Sequence, residues 1–255
     1  MKTRHRMRWM PALILCLSAA ASVCAQKVSL KPGVYAKFET SMGNFIVELY
    51  AQQAPRTVAN FTELAEGRKP WRMMAGLPMQ TGPLYDGLVF HRVVKGQYVL
   101  GGDPAGSGLG DVGFTIPLET SPDLKHDRPG RVAMERKADN PDSAGSMFYI
   151  TLAPLPERDK APGYAVFGQV IHGMEVVKAM DAVPLRADSA ERPEKPIVIR
   201  KVSILRVPKD KELTVDLAAT TAAPPAPAAA PAAPPAQESV YNLMKAMQPP
   251  APKAP

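Results

Sequence analysis

Histidine and arginine stand side by side in an apolar run, Asp86-Gly87-Leu88-Val89-Phe90-His91-Arg92-Val93-Val94. An arginine on such a strand is costly unless it has a partner or a task. The common chemistries find little support elsewhere. The four histidines are His5, His91, His126 and His172, and no two stand at ligand spacing, so no metal site is expected. The chain has no G-x-S-x-G nucleophile motif. Its two cysteines, Cys16 and Cys24, both fall in the first 25 residues. His91 taken alone reads as a core histidine with a satisfied ring nitrogen. Gly106, Gly108, Gly110 and Gly113 have spacing like that of a dinucleotide-binding loop. No helix follows them, however, and Phe114–Leu118 reads as a strand, which argues against a phosphate site.

The elements that must position these residues are mostly short strands. Val34–Thr40 and Phe45–Tyr50 are apolar, and the second alternates with period two. Ser41-Met42-Gly43-Asn44 between them suits a hairpin. Pro55 opens a helix with Val58, Phe61, Leu64 and Ala65 on one face, and Gly67 is the candidate C-terminal stop. Residues 68–84 are broken by three prolines and read as a long surface loop with Trp71 as its anchor. Further strands are expected at Leu88–Val94, Tyr98–Gly101, Arg131–Met134, Met147–Leu152, Tyr164–Val170 and Ile197–Val207, with a short helix over Met174–Asp181. Many short strands with two isolated helices predict a closed antiparallel barrel or a sandwich, not a βαβ fold.

The ends of the chain differ in kind. Lys2, Arg4, Arg6 and Arg8 precede an apolar stretch from Trp9 to Ala21 that is short for a membrane span. Residues 1–25 therefore read as a secretory signal peptide, with cleavage near Ala25 and a periplasmic or secreted destination. Lipidation at Cys24 and an uncleaved anchor are the alternatives. Cleavage leaves 27 Lys and Arg against 24 Asp and Glu, reducing the formal charge from +7 to +3. The basicity is thus mainly a targeting feature and does not point to nucleic acid. Cleavage also removes both cysteines, excluding a cysteine nucleophile and a thiolate zinc site. Residues 26–33 are expected as a linker, 34–208 as the folded domain and 209–255 as a disordered tail rich in proline and alanine. Residues 238–247 (ESVYNLMKAM) could form one short amphipathic helix for docking a partner.

Several segments, none specific alone, occur together in one order. They are Phe90-His91-Arg92, Gly96, Gly101-Gly102-Asp103-Pro104, Gly106-x-Gly108, Val132-Ala133-Met134, Ser143–Ile150 (SAGSMFYI), Gly163–Gly168 (GYAVFG) and Gly173–Val177 (GMEVV). Over Val34 to Val207 the chain resembles the cyclophilin family of peptidyl-prolyl cis–trans isomerases, and most closely its bacterial exported members. The resemblance implies an eight-stranded closed antiparallel barrel with a helix at each open end, and an active groove on its outer face. It implies catalysis of rotation about X–Pro bonds of exported proteins, without cofactor or metal, by a monomer acting on proline-containing polypeptides.

By family match, Arg92 is the catalytic donor, and His91 supports it structurally. Phe90, His91, Gln97, Tyr98, Leu100, Arg136, Met147, Tyr149, Leu155 and Tyr164 fall at positions that bind substrate. Several depart from the family pattern. Gln97 stands where phenylalanine is usual, Tyr98 where methionine is usual, and Leu100 and Met147 where glutamines are usual. Glu135 and Arg136 replace alanine with asparagine or arginine, and the aromatic near Leu155 is missing. The lost glutamines are the expected hydrogen-bond partners of Arg92, and a polar Gln97 is expected to weaken the apolar pocket. Reduced activity or an altered sequence preference follows. The alternative is a catalytically weak cyclophilin-fold module that binds proline-containing segments or a partner protein.

Overall fold

The computed structural model describes residues 27–217. The signal-like segment, Cys24 and residues 218–255, including the 238–247 segment, lie outside the described residues.

Eight strands close a barrel. In chain order they are β2 (Gly33–Thr40), β3 (Gly43–Leu49), β4 (Val89–Val94), β5 (Tyr98–Gly101), β6 (Arg131–Met134), β7 (Phe148–Thr151), β8 (Val166–His172) and β9 (Ile197–Val207). Around the barrel the order is β2-β3-β8-β6-β7-β5-β4-β9, and every pairing is antiparallel. Closure leaves no open edge in this sheet.

The interior is aromatic. The Phe148 ring lies 5.6–6.0 Å from the rings of Tyr85, Phe38, Phe61 and Phe90. All five are fully buried. Helix α1 (Pro55–Ala65) inserts Phe61, Val58 and Leu64 into this core, and α2 (Met174–Asp181) inserts Val177 and Met180. Helix α1 ends as its glycine predicts. Gly67 has φ +71°. Its N–H donates to the Leu64 carbonyl at 3.3 Å, and the Arg68 N–H donates to the Glu63 carbonyl at 2.8 Å. Both bonds satisfy carbonyls that the helix end would otherwise leave unpaired. Trp71 anchors its loop as expected: its Nε1–H donates to the Gly82 carbonyl at 3.0 Å.

Three expectations are corrected. Residues 26–33 are not merely a linker, because β1 (Lys27–Leu30) is a strand. It pairs antiparallel with β10 (Leu213–Asp216), so the expected tail from 209 begins with folded chain. Four-residue strands carry little periodic signal. What holds them is a second apolar cluster of Val28, Leu30 and Leu217 with Tyr35, Ile46 and Val207 of the barrel strands. Phe114–Leu118 is not a strand. Only Ile116 bridges to Ala144, and Pro117 beside it has no N–H to extend a ladder.

Candidate functional site

The register aligns one outer row across four strands. Arg92 on β4 pairs with Leu100 on β5, Leu100 pairs with Tyr149 on β7, and Tyr149 pairs with Ala133 on β6. Directly paired residues project to the same face. The neighbouring Val93, Val99, Ile150 and Val132 therefore project inward, and all four belong to the barrel core. The β4–β5 register shifts between Phe90 and Arg92, leaving His91 as an extra residue. Such a bulge re-aims side chains. Both His91 and Arg92 line an outer groove of about 860 Å³, with Leu100, Glu135, Arg136, Met147, Glu191 and Arg192 among its other walls.

Arg92 is half-exposed, and its Nε–H donates to Glu191 Oε2 at 2.5 Å. The Glu191 backbone carbonyl accepts from the Val93 N–H at 2.6 Å, which fixes that carboxylate beside the strand. Partial burial is the largest single influence and works against the guanidinium charge, but Glu191, Tyr98 and Glu135 together outweigh it and raise the Arg92 pKa. A carboxylate thus takes the role expected of the lost glutamines. The Nε–H bond is the only Arg92 side-chain hydrogen bond among the described residues, so both terminal nitrogens remain available.

Beside Arg92 lies a third apolar cluster, separate from the barrel interior: Tyr98, Leu100, Ala133, Tyr149, Leu155 and Val166, with Met147 and Tyr164 packed against it. Six of the expected binding residues meet here. The Tyr149 hydroxyl is 2.7 Å from His126 Nε2, and His126 Nδ1 is 2.7 Å from Asp159 Oδ1. A neutral His126 that donates to Asp159 and accepts from Tyr149 satisfies all three groups. Burial lowers the His126 pKa against the opposing pull of Asp159, which favours that neutral form. Arg136 lies at the cluster edge, with its guanidinium 4.3 Å from the Tyr164 ring centroid and its Nε–H donating to the Gly163 carbonyl at 2.9 Å.

Two expected binding residues are elsewhere. Phe90 points into the barrel, against Phe148. Gln97 is exposed in the β4–β5 turn, so it does not interrupt the apolar cluster. His91 is also corrected. It is buried, but neither ring nitrogen has a hydrogen-bond partner among the described residues. Burial pushes its pKa down to about 4, with Asp103 opposing and Arg192 and Arg92 reinforcing the shift. A folded pKa below the unfolded value of about 6.5 gives stability that is complete above pH 6.5 and is lost as pH falls toward 4. The loss should reach about 3 kcal/mol. In His91→Leu, the part of the Tm decrease between pH 7 and pH 4 that is due to this residue should disappear, as thermal melts at the two pH values would show.

Sequence reasoning missed four contributors. Glu191 lies 99 residues from its partner Arg92. Asp103 is fully buried, and its carboxylate accepts from the N–H groups of Ala105, Ser107 and Gly108, shaping the glycine-rich groove wall. Asp159 holds His126. Arg158 lies over the tyrosines, with its guanidinium carbon 4.5 Å from the Tyr98 and Tyr149 ring centroids and 4.7 Å from that of Tyr164. Asp103, in the quoted Gly101–Pro104 segment, is the one with a visible sequence signal.

A sequence model described as "Cyclophilin type peptidyl-prolyl cis-trans isomerase/CLD" matches residues 35–204, well over half of the chain. The chain belongs to the cyclophilin family. Among relatives, peptidyl-prolyl cis-trans isomerase A of Mycobacterium tuberculosis (strain ATCC 25618 / H37Rv) is 36% identical over 170 residues, covering 66% of this chain and 91% of the relative. Peptidyl-prolyl cis-trans isomerase CYP18-2 of Arabidopsis thaliana is 39% identical over 171 residues, covering 66% and 88%. The crystal structure of a cyclophilin-type isomerase from Cryptosporidium parvum superposes with a TM-score of 0.57 at 29% identity, covering 68% of this chain and 98% of that one. The same Cryptosporidium parvum protein crystallised in the presence of the dipeptide Ala-Pro gives a TM-score of 0.56 at 28% identity, covering 67% and 98%. This cyclophilin thus shares its closed barrel and two helices with solved members of its family.

Proposed function

We propose that this cyclophilin catalyses cis–trans rotation about X–Pro bonds in polypeptides, with Arg92 as the catalytic residue. The observation that carries the reading is the outer row, which sets Arg92 beside the tyrosine-containing cluster. Rotation must overcome amide resonance, a barrier of about 18–20 kcal/mol, and takes tens to hundreds of seconds uncatalysed. No covalent bond is made or broken, so neither nucleophile nor base is needed. As the amide twists, the proline nitrogen regains its lone pair and becomes an acceptor. A guanidinium donor bonded there acts only on the twisted state and lowers the barrier. Tyr98, Leu100, Tyr149 and Leu155 are buried with Arg158 over the two tyrosine rings, and their apolar faces receive the proline ring once that cover moves aside. Glu191 orients the donor that glutamines would otherwise hold.

Leu100 and Met147 at the glutamine positions favour a second reading, a module that binds proline-containing segments with little catalysis. The basic residues followed by an apolar run at the N-terminus support export, with exported polypeptides as substrates. A proline tetrapeptide assay tests the enzyme reading: the full chain should shorten isomerisation well below the uncatalysed time. Binding of the peptide at an uncatalysed rate would leave the module reading instead.

A further inference from the structure

Three tyrosine rings surround one guanidinium on the face where the reading above places the proline ring. The Tyr98 and Tyr149 ring centroids are 5.3 Å apart with planes at 53°, and those of Tyr149 and Tyr164 are 6.1 Å apart at 78°. The Arg158 guanidinium lies 4.5–4.7 Å from all three, within the range of cation–π attraction. Its Nη1 is also 3.3 Å from Glu135 Oε2, and the side chain is only 15% exposed. A charged group this covered needs both its counter-ion and its aromatic contacts, and here it has both.

We propose that Arg158 is an internal competitor for the proline-binding surface, so that substrate affinity is set by how often this side chain leaves the tyrosines. The inference rests on the proposed isomerase site. A flat guanidinium and a proline ring need the same aromatic faces and cannot share them. The backbone beneath Arg158 is fixed. It belongs to a short 3-10 turn, Pro156–Asp159, entered by a Leu155 N–H bond to the His126 carbonyl at 2.8 Å. The turn is closed by Asp159, which accepts from the His126 N–H and contacts its ring. The backbone can stay in place while the flexible side chain swings out. Substrate then binds only the open fraction, and the apparent dissociation constant rises as that fraction falls. Glu135, where the family usually has alanine, is the second half of the device, because its carboxylate holds the guanidinium in place.

Arg158→Ala deletes the competitor. With an open fraction near one tenth, KM for a proline tetrapeptide should fall about tenfold while kcat changes little. Glu135→Gln keeps the rings and weakens the hold, so KM should fall about two- to threefold. Arg158→Lys, which keeps the charge but loses planar stacking, should lie between wild type and alanine. A second readout follows the side chain itself. In NMR spectra of the full chain, the Arg158 δ-protons should be shielded by the rings and move toward unstructured values as an Ala-Pro-containing peptide is added. Peptide binding that leaves those signals unmoved overturns the proposal. So does equal binding by wild type and Arg158→Ala, or binding by neither. Activity in Arg158→Ala alone keeps this inference and contradicts catalysis by the wild type. Equal activity in both does the reverse.

Discussion

Arg92→Ala should lower kcat/KM for X–Pro rotation by about 10²–10³-fold, the range seen when one preorganised donor to a transition state is removed. The loss should fall in kcat, with KM little changed, because the bond to the proline nitrogen exists only once the amide has twisted. Stability should hardly move. Arg92 and Glu191 are both substantially exposed, and such pairs contribute about 0–1 kcal/mol. Arg92→Lys should recover only part of the rate. It keeps a charge but not a guanidinium that binds Glu191 through Nε while presenting two terminal nitrogens to substrate. Peptide kinetics beside thermal melts would check both statements. A large fall in Tm would mean that Arg92 is structural.

Phe148→Ala should destabilise the protein by about 3–5 kcal/mol, as expected for removing a buried aromatic ring from a packed core. Its ring meets four others, contributed by β2, α1, β4 and the segment before β4. No rearrangement of one neighbour can fill the space. Urea or thermal unfolding would measure the loss, and an effect below 1 kcal/mol would contradict the packing described. The site should suffer too, because Phe148 stands in sequence between Met147 of the groove wall, just before β7, and Tyr149 of the outer cluster on β7.

The barrel strands were legible because alternation reports which side of a strand is buried. Phe45, Val47 and Leu49 show this in β3, and all three are core. The β4 bulge was not legible, since pattern alone does not reveal an extra residue; this is why His91 was expected to have a satisfied ring nitrogen. Gln97 was misplaced for a related reason: matching a position to a pocket says nothing about the turn that carries it outward. Arg92 stood out as a charge in an apolar run, yet its partner Glu191 comes from an irregular segment with no pattern to read. Arg158 left no trace, because a cation over three rings exists only after β5, β7, the segment before β8 and the 156–159 turn have met. The β1–β10 pair was hidden by its shortness and by an apolar cluster spread across both ends of the domain.

Equilibrium exchange spectroscopy on an Ala-Pro-containing peptide tests the central claim most directly, with wild type and Arg92→Ala compared at equal concentration. The account predicts cis–trans exchange cross-peaks with the wild type and their near-complete loss with the variant. Cross-peaks absent from the wild type, or equally strong in both proteins, would contradict it.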